Sequence, residues 1–109
     1  MKLVLAIVQD EDAFDLIEAI TEKDFRVTKL ATTGGFLKSG NTTLIIGVEK
    51  EKVQEVIDLV EEVCKKRKEI ISTPAPITGN ADMYMSYPIE IQAGGATVFV
   101  VDVDQFYKI

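Results

Sequence analysis

The sequence predicts an α+β fold with elements in the order β-α-β-β-α-β, an antiparallel sheet backed by two helices. Three observations lead there. Two segments repeat apolar residues at helical spacing: Ala13, Leu16, Ile17 and Ile20, then Val53, Val56, Ile57, Val60, Val63 and Cys64. Four segments of high strand propensity flank them. The middle two strands are joined by a glycine-rich link with the composition of a hairpin turn.

The first strand covers Lys2 to Gln9, an apolar run without helical period. Asp10-Glu11-Asp12 follows and reads as a cap and an acidic first turn for a helix running to about Lys23. Phe25 to Thr32 has strand propensity, and Thr42 to Val48 makes the third strand. The second helix is the clearest element, one apolar stripe with charges elsewhere. Ala96 to Val103 is the last strand. This is the ferredoxin-like arrangement, a single domain over residues 1–109 with no internal repeat.

Composition excludes several function classes. No apolar run approaches the ~20 residues of a membrane span. The run Leu3 to Val8 is too short and too β-branched for a signal peptide. With Cys64 as the one cysteine there is no disulfide framework, so a cytoplasmic setting is expected. The net charge of −6 disfavours a nucleic-acid polymer as partner, while a small anion met by local donors is compatible with it. The basic run Lys65-Lys66-Arg67-Lys68 reads as the end of a helix, where cations offset the negative dipole end. The absence of histidine removes the commonest general base and zinc ligand. Cys64 lies on the helical stripe and reads as a small buried side chain rather than a nucleophile. Asp10, Asp82, Glu90, Asp102 and Asp104 are scattered, so neither an acid–base pair, a metal site nor a bound cofactor is expected.

Two features point beyond an isolated domain. Two helices cover one face of such a sheet, yet the first, third and fourth strands are apolar at both parities. Another copy of the chain is the plainest cover for the open face, which predicts an obligate oligomer. The second feature is the link from Glu69 to Gly95, far longer than a typical connection. It holds three prolines and the cluster Met83-Tyr84-Met85-Ser86-Tyr87, and Ile70-Ile71 and Ile89-Glu90-Ile91 can pair as short strands at its base. It reads equally as a packed loop and as an adaptable partner surface.

The stretch Leu30 to Thr43 carries most of the functional argument. Glycines let backbone N–H groups approach an anion, Phe36 offers a stacking face, and the Asn41 amide fits an adenine edge. Spacing alone equally supports an ordinary hairpin. The stretch also nearly matches a phosphate-binding loop, but Asn41 stands where the lysine belongs and a strand follows instead of a helix. Strand parity adds that Arg26 and Thr28 share one face, as do Asn41, Thr43, Ile45 and Gly47. Gly47 interrupts a β-branched strand and marks either close approach of a ligand or backbone, or a bulge or tight contact.

The string FRVTKLATTGGFLKSGNTT (Phe25 to Thr43) closely resembles the cyclic-di-AMP receptor family of PII-like signal-transduction proteins. So do Val8-Gln9-Asp10, Gly79-Asn80-Ala81-Asp82, Tyr87-Pro88 and Gly94 to Val100. The resemblance implies a homotrimer of ferredoxin-like subunits that binds cyclic di-AMP between neighbouring subunits, without catalysis. It implies a short loop after the second strand and a long one before the last, the inverse of nitrogen-regulatory PII proteins. Arg26 and Thr28 would meet the phosphate–ribose side, and Gly35, Phe36 and Leu37 would close over the ligand. Asn41 would hydrogen-bond an adenine, Gly47 would leave room for the base, and Phe99 would pack nearby. The chain departs from the family at Ile77-Thr78, at Met83, and in a tail ending Lys108-Ile109 where a glutamine–phenylalanine pair is usual. No tail contact is carried over, although Lys108 could reach a phosphate. Competing readings are a PII-type sensor of ATP or another adenine nucleotide, an enzyme on the same fold, and a purely structural trimer. The downstream protein partner is not named by the sequence.

Overall fold

Alternation along β1 (Lys2–Gln9) sets the position of the core: Val4, Ala6 and Val8 are buried, and their odd-numbered neighbours are only partly covered. The computed structural model describes residues 1–30, 40–76 and 84–109. After β1 come α1 (Asp10–Glu22), β2 (Val27–Leu30), β3 (Asn41–Val48), a 3-10 turn (Lys50–Lys52) and α2 (Val53–Cys64). The chain continues through β4 (Arg67–Pro76), β5 (Tyr84–Ala93) and β6 (Ala96–Asp102).

Four strands form an antiparallel sheet in the order β2-β3-β1-β6. Both helices pack against one face, an architecture consistent with a ferredoxin-like fold. Leu16 and Ile20 of α1 and Val56 and Val60 of α2 meet Val4, Leu44 and Ile46 of the sheet. Each such side chain contributes about 1.5–3 kcal/mol on burial. The open face carries Leu3, Leu5 and Ile7 of β1, opposite Gly47, Ile45 and Thr43 of β3 and Val101, Phe99 and Thr97 of β6. Phe99 and Val101 are exposed there.

β2 starts later than its propensity suggested, and the end of α1 explains why. Asp24 adopts φ 64° just past the helix, the Phe25 N–H bonds the Ile20 carbonyl, and the Asp24 N–H bonds that of Thr21. This paired closure satisfies the last carbonyls and folds Phe25 back onto the core, so pairing starts only at Val27. The start of α1 also differs from expectation. Gln9, not Asp10, occupies the N-cap position, and no side chain caps the helix there. The Asp10 carboxylate instead accepts the Thr42 hydroxyl.

The long link from α2 to β6 holds a second, two-stranded sheet, registered from Arg67↔Ala93 to Pro76↔Tyr84. The expected pairing of Ile70-Ile71 with Ile89-Glu90-Ile91 lies inside it, but the ribbon is much longer than a base of short strands. Prolines made the segment read as a loop; each strand of a two-stranded ribbon has a free edge, where a missing N–H is tolerated. The Gly79-Asn80-Ala81-Asp82 turn and Met83 lie outside the described residues.

The root of this arm corrects the reading of the basic run. α2 stops at Cys64 with no basic residue in its last turn, and Arg67 and Lys68 belong to β4. Arg67 grips the buried Asp12 carboxylate with two nitrogens, at 2.7 and 3.4 Å, and Glu69 through Nε at 2.9 Å. Gly94 donates its N–H to the Gln9 side chain at 2.8 Å, and Gly95 donates to the Cys64 carbonyl. Gly94 and Gly95 both hold positive φ, 84° and 94°, which glycine adopts at least cost. Cys64 is 1 % exposed, as its place on the helical stripe implied.

Candidate functional site

A cavity opens at the Gly47 end of the open sheet face. Its volume is about 680 Å³, and its wall includes Leu3, Arg26, Thr28, Ile45 and Gly47. Register explains the grouping: Thr28 lies across from Ile45, and Leu3 lies across from Gly47. Arg26 sits two residues before Thr28, on the same parity. The parity argument for Arg26, Thr28 and Gly47 therefore corresponds to one surface.

Among the described residues, Gly47 has no packing or conformational reason to be glycine. A Cβ built on it would meet no described atom within 4 Å, and its φ lies outside the positive range. Among the described residues, no tight contact is made at this position. The free volume above it faces outward, into the cavity.

The C-terminal residues form the far wall. The Val103 N–H bonds the Met1 carbonyl at 3.2 Å, holding the chain beyond β6 at the Met1–Leu3 end of the sheet. Phe106, Tyr107 and Lys108 then line the cavity. Of these, sequence reasoning had singled out only Lys108. The aromatic pair beside it was the available signal, since exposed aromatics near a terminus offer stacking surface. Arg26, Lys52 and Lys108 supply cationic charge to the wall, and Asp24 and Glu49 supply acid. Near this end, the Lys2 ammonium bonds Asp102 and holds its carboxyl below the ordinary carboxylate range.

Asn41 is placed elsewhere. It shares a strand face with Gly47, but the two stand six positions apart along β3, about 20 Å. Asn41 instead lines a cavity of about 430 Å³ with Gln9, Asp10, Glu11, Gly40 and Gln92. It also borders a neighbouring one of about 340 Å³ that includes Lys66, Gly94 and Gly95. Gln9 and Gln92 beside Asn41 were not anticipated, because the arm root that carries Gln92 had read as loop. Phe99 lies on the same open face, 53 % exposed and across from Leu5, and does not line the Gly47 cavity. Gly35, Phe36 and Leu37 lie outside the described residues. The fold therefore gathers Arg26, Thr28 and Gly47 and leaves Asn41 and Phe99 apart from them.

Among the described residues, no group of three or more metal-ligating side chains comes together. No helix among them is long and apolar enough to cross a membrane. The chain is similar to a crystal structure described as a functionally unknown protein from Pediococcus pentosaceus ATCC 25745. Identity is 46%, the match covers 99% of this chain and 96% of the other, and the TM-score is 0.77. The family model for the cyclic-di-AMP receptor matches residues 1–109, and the chain belongs to the cyclic-di-AMP receptor family.

Proposed function

We propose that the chain is a non-catalytic, cytoplasmic signal-transduction receptor that binds cyclic di-AMP in clefts between neighbouring subunits of a PII-like homotrimer. The observation that carries this reading is the unfilled space above Gly47, in a cavity edged by Arg26 and Thr28. A flat base fits a floor without a side chain. Arg26 and Lys108 supply charge for the phosphates, and backbone donors let an acidic protein hold them with few cations.

The separation of Asn41 from this cavity supports a site shared between copies. Asn41 of one subunit reaches an adenine seated beside Gly47 of its neighbour, and Gly35, Phe36 and Leu37 close over the ligand. The apolar open face, with Phe99 exposed on it, is then the seam that the neighbour covers. Binding orders the loops and shifts the population of a shape read by a downstream protein, to the extent that the ligand prefers that shape.

Titration calorimetry with cyclic di-AMP, cyclic di-GMP and ATP, paired with sedimentation, tests the reading. Selective binding of cyclic di-AMP by a trimer, with the ligand recovered intact, is expected. Equal or tighter binding of ATP would favour a PII-type adenine-nucleotide sensor, and indifference to cyclic di-AMP at saturating dose would end the proposal.

A further inference from the structure

The first turn of α1 breaks a local rule. Helix starts favour a side chain that caps the free N–H groups, yet Gln9 at the N-cap position makes no such bond. Its side-chain oxygen accepts the Gly94 N–H at 2.8 Å instead. Asp10 and Asp12 of this turn are engaged elsewhere as well. Asp10 accepts the Thr42 hydroxyl on its carboxylate and donates its own N–H to the Gly40 carbonyl at 2.8 Å. Asp12, buried, holds Arg67 at the start of β4. Local violations that serve distant contacts mark functional positions more than scaffold.

The two sets of contacts have different destinations. Asp10 grips Gly40 and Thr42, the residues on either side of Asn41. Gln9 and Asp12 grip Gly94 and Arg67, at the two strands of the arm root. Asn41 itself borders cavities shared with Gln92, Gly94 and Gly95.

We propose that residues 9–12 are a joint that positions Asn41 and ties it to the root of the β4–β5 arm, so that ligand contact at Asn41 and the seating of the arm are energetically coupled. The ligand half of this rests on Asn41 contacting the adenine. Asp10 and Thr42 are positioning residues in this scheme. Coupling of this kind is reciprocal: what loosens the arm root weakens the ligand, and the ligand tightens the root.

The test uses the full chain and reads amide hydrogen exchange at Gly94, with Val60 in the middle of α2 as the reporter of global opening. Thr42→Val removes the hydroxyl that Asp10 accepts and keeps the side-chain shape. Without ligand, it is expected to speed exchange at Gly94 by roughly tenfold while leaving Val60 unchanged, with Thr42→Ser restoring the wild-type rate. In the wild type, cyclic di-AMP slows exchange at Gly94. Thr42→Val lowers its affinity about fivefold or more, and Arg67→Lys, which borders neither Asn41 cavity, does the same from the arm side. Unchanged Gly94 exchange in ligand-free Thr42→Val, or a change matched at Val60, overturns the joint. Cyclic di-AMP binding that is indifferent to both variants overturns the coupling to ligand. If the wild type does not bind cyclic di-AMP, the functional reading falls, and the ligand-free exchange alone decides the joint.

Discussion

Arg67, the first residue of β4, closes a two-pronged ion pair on Asp12 in the first turn of α1, at 2.7 and 3.4 Å. Fifty-five positions separate them, and the carboxylate is almost fully buried. A two-stranded ribbon is marginal in water by itself. With the Gly94 N–H on the Gln9 side chain, this contact joins the ribbon to the helical layer.

Arg67→Ala leaves the Asp12 carboxylate buried without its countercharge, the costly half of a broken pair. The thermal midpoint is expected to fall by roughly 10–20 °C. Asp12→Ala combined with Arg67→Ala recovers part of that loss, because no orphaned charge remains. Thermal denaturation of the two variants and the wild type measures it, and a double variant no better than Arg67→Ala would contradict the pairing.

Adjacent glycines at the arm root respond differently. A Cβ at Gly94 collides with the Lys65 carbonyl and comes within 2.9 Å of the Cys64 carbonyl, at φ 84°. Gly94→Ala should cost about 2 kcal/mol or more. At Gly95, φ is 94° but the nearest atoms are flexible Lys66 side-chain carbons at 3.5 Å. Gly95→Ala should cost only the backbone preference, about 1 kcal/mol. Urea unfolding of both variants gives the comparison, and equal losses would refute the steric account.

Stability should fall at alkaline pH through Cys64. Burial, reinforced by the Asp12 charge and partly offset by Arg67, pushes its thiol up to about 11. An unfolded thiol ionises near ~8.5. The folded value is raised, so this contribution is complete below the unfolded pKa and is lost as pH rises through the folded one. The window is therefore about pH 9–11, with a loss on the order of 2–3 kcal/mol. Cys64→Ala lacks the ionisation, so the difference between wild-type and variant stability curves isolates it. A difference that stays flat through the window would disprove the assignment.

Gly47→Val separates stability from binding. No described atom lies within 4 Å of the added Cβ to resist it, and valine favours strands. The thermal midpoint of the subunit fold should hold or rise, while cyclic di-AMP affinity falls at least about tenfold, since ~1.4 kcal/mol of lost contact suffices. Calorimetry on a variant verified as folded decides the point; retained affinity would remove Gly47 from the site.

Much of this architecture was legible in the amino-acid order. The stripe from Val53 to Cys64 and the alternation in β1 are local patterns, and each specifies which face is buried. The shared face of Arg26, Thr28 and Gly47 followed from the same parity rule. Local pattern failed where a distant partner decided the outcome. Asp10 looked like a cap until Thr42 was seen to hold it, and Arg67 looked like dipole compensation until Asp12 was. The prolines of β4 and β5 signalled loop because propensity carries no information about a free strand edge.

Family membership, the element order and the identity of the buried faces were written into the chain itself, because periodicity, propensity and motif strings act over a few neighbouring residues. Tertiary structure alone decided that Asn41 borders the cavities at the arm root, that the C-terminal Phe106–Lys108 segment walls the Gly47 cavity, and that residues 9–12 hold both the neighbours of Asn41 and the arm root. Those relationships depend on strand register and on contacts between residues far apart in sequence, which no local pattern encodes.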